Sequence, residues 1–243
     1  MPEGPSIVIL KELVKPFKNK KIINVSGNTK EDVTWMAGKK VKDFKSWGKH
    51  FLICFEKRTV RIHFMLFGSY RINETKTAIP RLQLEFSKGQ LNFYACSVRS
   101  IDDDVNNVYE WSADVMNNTW SPVKAKKKLK EIPNTLACDA LLDQNIFAGV
   151  GNIIKNEVLY RIKVHPQNKI RKIPARKLNE LVKEVRIYSF DFLKWKKAYE
   201  LKKHWLAHTR KTCGRCQLPI KIEYMGRTKR RTFFCNNCQV LYR

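Results

Sequence analysis

Residues 142–166 read LDQNIFAGVGNIIKNEVLYRIKVHP. LACDALLDQ (Leu136 to Gln144) and GNIIKNEVLYRI (Gly151 to Ile162) have helical composition, and NIFAGVG between them is a short glycine-containing turn. Gly149 and Gly151 let the backbone approach a partner closely. Asn152 then falls at the N-terminus of the second helix. There its amide and the unpaired backbone N–H groups can cap the helix and hold a phosphate, two roles that do not exclude one another.

Upstream of this helical centre the pattern changes to period two. VRIHF puts Val60, Ile62 and Phe64 on one face, and RLQLEF does the same with Leu82, Leu84 and Phe86. SKGQ (Ser87 to Gln90) marks a turn before LNFYACSV. Short strands joined by turns predict a β-sandwich or barrel. Ahead of them, SIVILKELVKPF spaces Ile9, Leu10, Leu13, Val14 and Phe17 as one helix over 6–17. Downstream, KAKKKLKEI and ARKLNELVKEVRIYSFDFLKWKK read as further helices. The expected class is therefore α+β: an N-terminal β-sandwich with its own helix (1–120), a helical domain (121–207) and a cysteine-bearing tail (208–243).

That tail reads CGRCQLPIKIEYMGRTKRRTFFCNNC. Cys213 and Cys216 form one C-x-x-C, and Cys235 and Cys238 form another. Each pair supplies half a tetrahedron, and the hairpin between them closes it around one structural Zn2+. Four thiolates leave no open position, so such an ion is not catalytic. The hairpin carries Arg227-Thr228-Lys229-Arg230-Arg231, a basic turn suited to phosphates. Cys54, Cys96 and Cys138 lie in apolar surroundings and read as small buried hydrophobes. The five histidines share no metal-ligand spacing with the cysteines and read as structural or phosphate-adjacent.

Lys and Arg number 48 against 22 Asp and Glu, a formal net charge of +26. A polyanion, nucleic acid first, is the expected partner. No run reaches the ~18 apolar residues of a membrane span, and the start lacks the pattern of a signal peptide. The expectation is a cytoplasmic protein, associated with the nucleoid through DNA, with no membrane partner.

The chain starts Met1-Pro2-Glu3-Gly4-Pro5. With Met1 removed, Pro2 carries a free secondary amine, which titrates roughly two to three units below a lysine and is a better nucleophile at neutral pH. Glu3 is the nearest proton carrier.

PEGP at the start, GK in a hairpin, LDQNIFAGVGNIIKNEVLYRIKVHP in the middle and the four-cysteine element at the end together resemble the formamidopyrimidine-DNA glycosylase and endonuclease VIII family, over nearly the whole chain. The resemblance implies a helix–two-turns–helix domain ending in a zinc finger, with DNA lying across a cleft beside the β-sandwich. It implies a bifunctional glycosylase and abasic-site lyase acting as a monomer on double-stranded DNA with oxidised bases or abasic sites. Pro2 would be the nucleophile and Glu3 the proton-transfer group. Lys49, in WGKHF, would touch DNA near the lesion, Asn152 would bind a phosphate, and Arg230 would grip the phosphates at the damage. Met65, Leu66 and Phe67 align with the residues that fill the void left by a flipped base. Arg99 matches instead the arginine that the glycosylase branch sets opposite the lesion. PEGP favours the endonuclease VIII branch, hence oxidised pyrimidines. The alternatives are an oxidised-purine enzyme and a damaged-DNA-binding protein without catalysis.

Overall fold

The computed structural model describes residues 2–242. The chain divides between Glu110 and Trp111 into two compact units.

The first unit opens with helix α1 (Gly4–Leu13). Pro5 sits in its first turn, where its missing N–H costs nothing. Pro16 cannot continue a helix, and Lys15–Phe17 tightens into a 3-10 turn. The helix expected over 6–17 therefore starts two residues earlier and stops at Leu13. Six strands follow: β1 (Ile22–Ser26), β2 (Asp43–Trp47), β3 (His50–Cys54), β4 (Thr59–Ile72), β5 (Leu82–Phe86) and β6 (Gly89–Ile101). They form one antiparallel sheet in the order β1-β5-β6-β4-β3-β2. A one-turn helix, α2 (Val105–Val108), caps its N–H groups on Asp104 and ends the unit.

The expected two layers arise from that single sheet. β4 and β6 pair from Thr59↔Ile101 to Ile72↔Leu91, with β3 joining one half of the pair and β5 the other. Phe51 of β3 lies opposite Ile62, yet its ring is 5.9 Å from Phe93, which pairs with Tyr70 in the other half. The sheet thus folds over itself around a core that includes Ile22, Phe51, Ile62, Leu84 and Phe93, and α1 adds Ile7 and Leu10 to it.

The second unit contains α3 (Pro122–Glu131), α4 (Ala137–Ala140), α5 (Asn152–Arg161), α6 (Ala175–Lys197) and the hairpin β7 (Lys221–Met225) with β8 (Arg230–Phe234). α6 coincides with the helix read from sequence. α4 is a single turn where 136–144 was expected to be helical. Its continuation is diverted because Asp143 accepts from Asn145 N–H and the Gln144 amide folds back onto the chain.

The sequence boundary at 120 lies ten residues beyond the structural one. Val115 N–H donates to Ala148 O, and Arg186 donates to the carbonyls of Val115 and Asn117. These bonds tie residues 111–120 to the helices. The cysteine tail belongs to the same unit as the helices. Val164 bridges to Val240, and His165 N–H donates to Val240 O.

Candidate nucleic-acid interface and metal centre

α5 is the spine against which the second unit's candidate residues are arranged. Lys155, Asn156 and Glu157 in its middle are 0% exposed, so the helix has no solvent face and no amphipathic pattern there. A buried polar group is costly unless it is paired, and each of these side chains has a partner. Lys155 Nζ donates to Thr232 Oγ1 at 2.8 Å. Asn156 receives Phe233 N–H at 3.4 Å and donates its amide to His208 Nδ1 at 3.0 Å. Glu157 accepts three backbone N–H groups, from Leu206, Ala207 and His208, at 2.7–2.9 Å. Burial pushes the Glu157 carboxyl up, and those three donors oppose the shift.

The ends of α5 hold the hairpin as well. At its first residue the Asn152 amide donates to Arg231 O at 2.8 Å. At its last turn Arg215 donates to the carbonyls of Tyr160 and Arg161, a cationic cap on a helix C-terminus. The hairpin tip is pinned separately, as both Asp139 carboxylate oxygens accept Arg227 N–H. Gly226 has φ +74°, and a Cβ there would meet the Asp139 carboxylate at 2.2 Å. Asn152 is thus bonded to the backbone of the residue that follows Arg230, and Arg230 is exposed at the start of β8.

The turn before α5 is closed by one side chain. Gln144 donates to the carbonyls of Leu142 and Val150 and accepts Gly149 N–H. Gly149 takes φ +100°, which favours glycine. Ile146, Phe147 and Val150 anchor the turn in the core.

Cys213, Cys216, Cys235 and Cys238 converge, with all four sulfurs within 4.8 Å of one another. Two pairs lie at 3.8 Å (Cys213–Cys238) and 3.5 Å (Cys216–Cys235). The sulfurs of a tetrahedral zinc thiolate site are roughly 3.8 Å apart, so the donor set fits a metal ion. Tyr160 of α5 places its hydroxyl 3.1 Å from Cys213 Sγ, next to the site.

In the first unit, Glu3 precedes α1 and its carbonyl accepts Ser6 N–H. Its side chain is 0% exposed, and Pro2 beside it is partly exposed. Lys49 follows Gly48 (φ +54°) in the turn between β2 and β3. Behind it lies a ring cluster that sequence reading missed. The His50 ring is within 3.1 Å of the Tyr109 hydroxyl, and Trp47 packs on Tyr109 and donates to Glu110 O. Burial, then the charges of His63, Arg61 and Lys49, push His50 down to about 3, so it stays neutral beside Lys49.

Met65, Leu66 and Phe67 are not core strand. Phe64 pairs with Cys96 and Ser69 with Tyr94, so residues 65–68 face Ala95 alone. That bulge expels the three side chains, leaving them 55%, 55% and 85% exposed. Gly68 permits it, because a Cβ there would meet Phe64 at 2.7 Å and Ala95 O at 2.9 Å. Arg99, on β6, sits 3.9 Å from Glu31, whose carboxylate also accepts Ser100 N–H.

Models of the formamidopyrimidine-DNA glycosylase N-terminal domain and of the formamidopyrimidine-DNA glycosylase H2TH domain match residues 1–99 and 113–188, one in each unit. The chain belongs to the formamidopyrimidine-DNA glycosylase and endonuclease VIII family. Endonuclease 8-like 3 of Xenopus laevis is 31% identical over 236 residues, spanning 90% of this chain and 38% of the relative. The formamidopyrimidine-DNA glycosylase of Lactobacillus helveticus is 24% identical over 283 residues, covering all of both chains. Lactococcus lactis Fpg (MutM), solved with a DNA containing an oxidised pyrimidine, superposes with a TM-score of 0.86 at 19% identity, over 98% of this chain and 99% of that one. The glycosylase-family fold is therefore present from end to end, while the chain spans 38% of the length of the Xenopus relative.

The histidines of this family member serve its packing. His165 bonds Asn236, His204 stacks on Trp195 at 4.1 Å, and His208 bonds Asn156. Cys54, Cys96 and Cys138 are buried, with burial pushing Cys96 up to about 12 and Cys138 up to about 11. Among the described residues no helix is long and apolar enough to cross a membrane.

Proposed function

We propose that this chain is a bifunctional DNA glycosylase and abasic-site lyase of base excision repair, acting on oxidised bases, pyrimidines favoured, in double-stranded DNA. The observation that carries the reading is the pairing of Pro2, partly exposed, with a wholly buried Glu3 at the start of α1. Met1, whose removal the chemistry requires, lies outside the described residues.

The Pro2 nitrogen lone pair attacks C1′ of the damaged nucleotide. The C1′–N bond breaks, and the proton shed by the Pro2 nitrogen passes to the leaving base. Glu3, in its protonated form, protonates the sugar ring oxygen, the C1′–O bond breaks and the ring opens, and the product is an iminium ion between Pro2 and C1′. The cation acidifies the C2′ proton, whose removal expels the 3′ phosphate by β-elimination. A second elimination expels the 5′ phosphate, and water releases Pro2. Glu3 is adjacent to the amine in the chain and withdrawn from solvent, which suits a group that passes protons to the sugar rather than to bulk water.

In this reading Lys49 joins Pro2 and Glu3 in the catalytic set by touching the DNA near the lesion, Asn152 and Arg230 hold the DNA backbone, and Met65, Leu66 and Phe67 occupy the space of the flipped base. The four cysteines hold Zn2+, whose contribution is to fix the hairpin that carries Arg230. The test is borohydride reduction on a duplex with one abasic site, read by peptide mass. Protein processed to Pro2 gives an adduct at Pro2, and protein that keeps Met1 gives none. Processed protein that binds the duplex without forming the adduct overturns the reading.

A further inference from the structure

The second unit carries a groove that the proposed chemistry does not use. It runs between α3 and α6 and encloses about 790 Å³. On α6 its lining recurs at Asn179, Val182, Lys183, Arg186, Ile187 and Phe190, three or four residues apart along one face. These positions form one stripe over about 12 residues, roughly 18 Å of helix. Trp120, Pro122 and Lys126 form the opposite wall.

The floor is apolar and open. Ile187 and Phe190 are each 41% exposed. The rim is cationic. Arg186 donates to two backbone carbonyls and stacks over Phe190 at 5.0 Å. Asp191, the acidic residue in the lining, is paired with Arg161. Among the described residues Lys126, Lys183 and Arg186 have no carboxylate partner within salt-bridge distance.

We propose that this groove docks an acidic amphipathic helix from a protein partner. A floor of this length matches a helix that presents apolar anchors at i, i+3 or i+4, and i+7. The rim lysines Lys126 and Lys183, which have no carboxylate partner among the described residues, match carboxylates flanking those anchors. A nucleic-acid backbone would use the cations and leave the floor empty, so the aromatic and aliphatic floor favours a peptide. Ile187 and Phe190 would be the contacts that decide affinity, because they are the large apolar groups the groove leaves exposed.

The test uses the whole chain and a displayed library of peptides about 16 residues long, with glutamates at the flanking positions and varied apolar residues at the anchors. The best enriched peptide is then synthesised with a scrambled version of the same charge. The expected result is saturable binding of the ordered peptide, at least tenfold weaker for the scrambled one. Ile187→Asp with Phe190→Asp should weaken binding at least tenfold while leaving the melting temperature and abasic-site lyase activity unchanged. Arg186→Ala is not used, since that side chain braces residues 115 and 117. No enrichment, or equal binding of ordered and scrambled peptides, overturns the proposal. So does a duplex oligonucleotide whose binding is lost in the same double variant, because the groove would then be a nucleic-acid surface.

Discussion

The side-chain amide of Asn152, first residue of α5, donates to the backbone carbonyl of Arg231, second residue of β8, at 2.8 Å. The amide proposed to bind phosphate is therefore also a strut for the basic hairpin, and its Oδ1 is buried without a hydrogen-bond partner. Asn152→Asp replaces that donor with an acceptor facing a carbonyl. We expect a loss of about 1–3 kcal/mol and faster amide exchange across residues 230–234, with weaker duplex binding. Unchanged exchange in the hairpin would show that the strut carries no weight.

Gly226 and Asp139 test the other anchor. Gly226→Ala forces a methyl group into the Asp139 carboxylate at a residue with φ +74°. It should destabilise the protein more in the presence of Asp139 than in an Asp139→Ala background. Urea midpoints for the two single variants and the double give the coupling. Additive losses would mean the tip is not held by that carboxylate.

Phe67 is 85% exposed on the bulge of β4. Phe67→Ala should shift stability by no more than about 0.5 kcal/mol. Excision from a duplex should fall, while cleavage of a single strand, which has no opposite base to hold apart, should fall less. Equal losses on both substrates would remove Phe67 from the void-filling role.

Metal removal should act well beyond the cysteines. The hairpin they brace supplies the partners of Lys155 and Asn156, so stripping the ion exposes α5 to unpaired buried groups. Chelation in mild denaturant, or Cys235→Ser, should lower the melting temperature of the second unit and abolish duplex binding together. A chelated protein that melts and binds as before would show that the thiols stand without a metal.

Acid should unfold the protein early. His50 and His208 are pushed down to about 3 and about 4, chiefly by burial. An unfolded imidazole titrates near ~6.5, so between those values the unfolded chain holds the extra proton. Stability is therefore retained above about pH 6.5 and declines as pH falls toward about 4. Each group contributes a slope of at most about 1.4 kcal/mol per pH unit. Urea midpoints from about pH 7 to about pH 4.5 measure this, and His208→Gln should flatten the curve.

The elements with strong periodicity were legible in sequence. α6 has an apolar stripe that runs its length, and the cysteine spacing located a cluster of four sulfurs. α4 was not, because Asp143 and Gln144 look helical in composition and act instead on neighbouring backbone. The partners of α5 were hidden for another reason. Lys155 and Asn156 are buried against a hairpin 77 residues away in the chain, and Glu157 against the backbone of residues 206–208, so no local pattern announces either partner. The clue was the missing amphipathic period across residues 152–161, which for a helix in a compact unit means neighbours on every side. The ring cluster behind Lys49 draws on residues from β2, β3 and Tyr109, and no local pattern joins them.

The bulge at residues 65–68 separates what the sheet needs from what the exposed tip contains. Register is fixed at Phe64↔Cys96 and again at Ser69↔Tyr94, and Gly68 meets the steric demand between them. Met65, Leu66 and Phe67 are consequently a cassette, open to exchange for other side chains without re-solving the fold. The side chains at those three positions can change while the strand register on either side of them stands still.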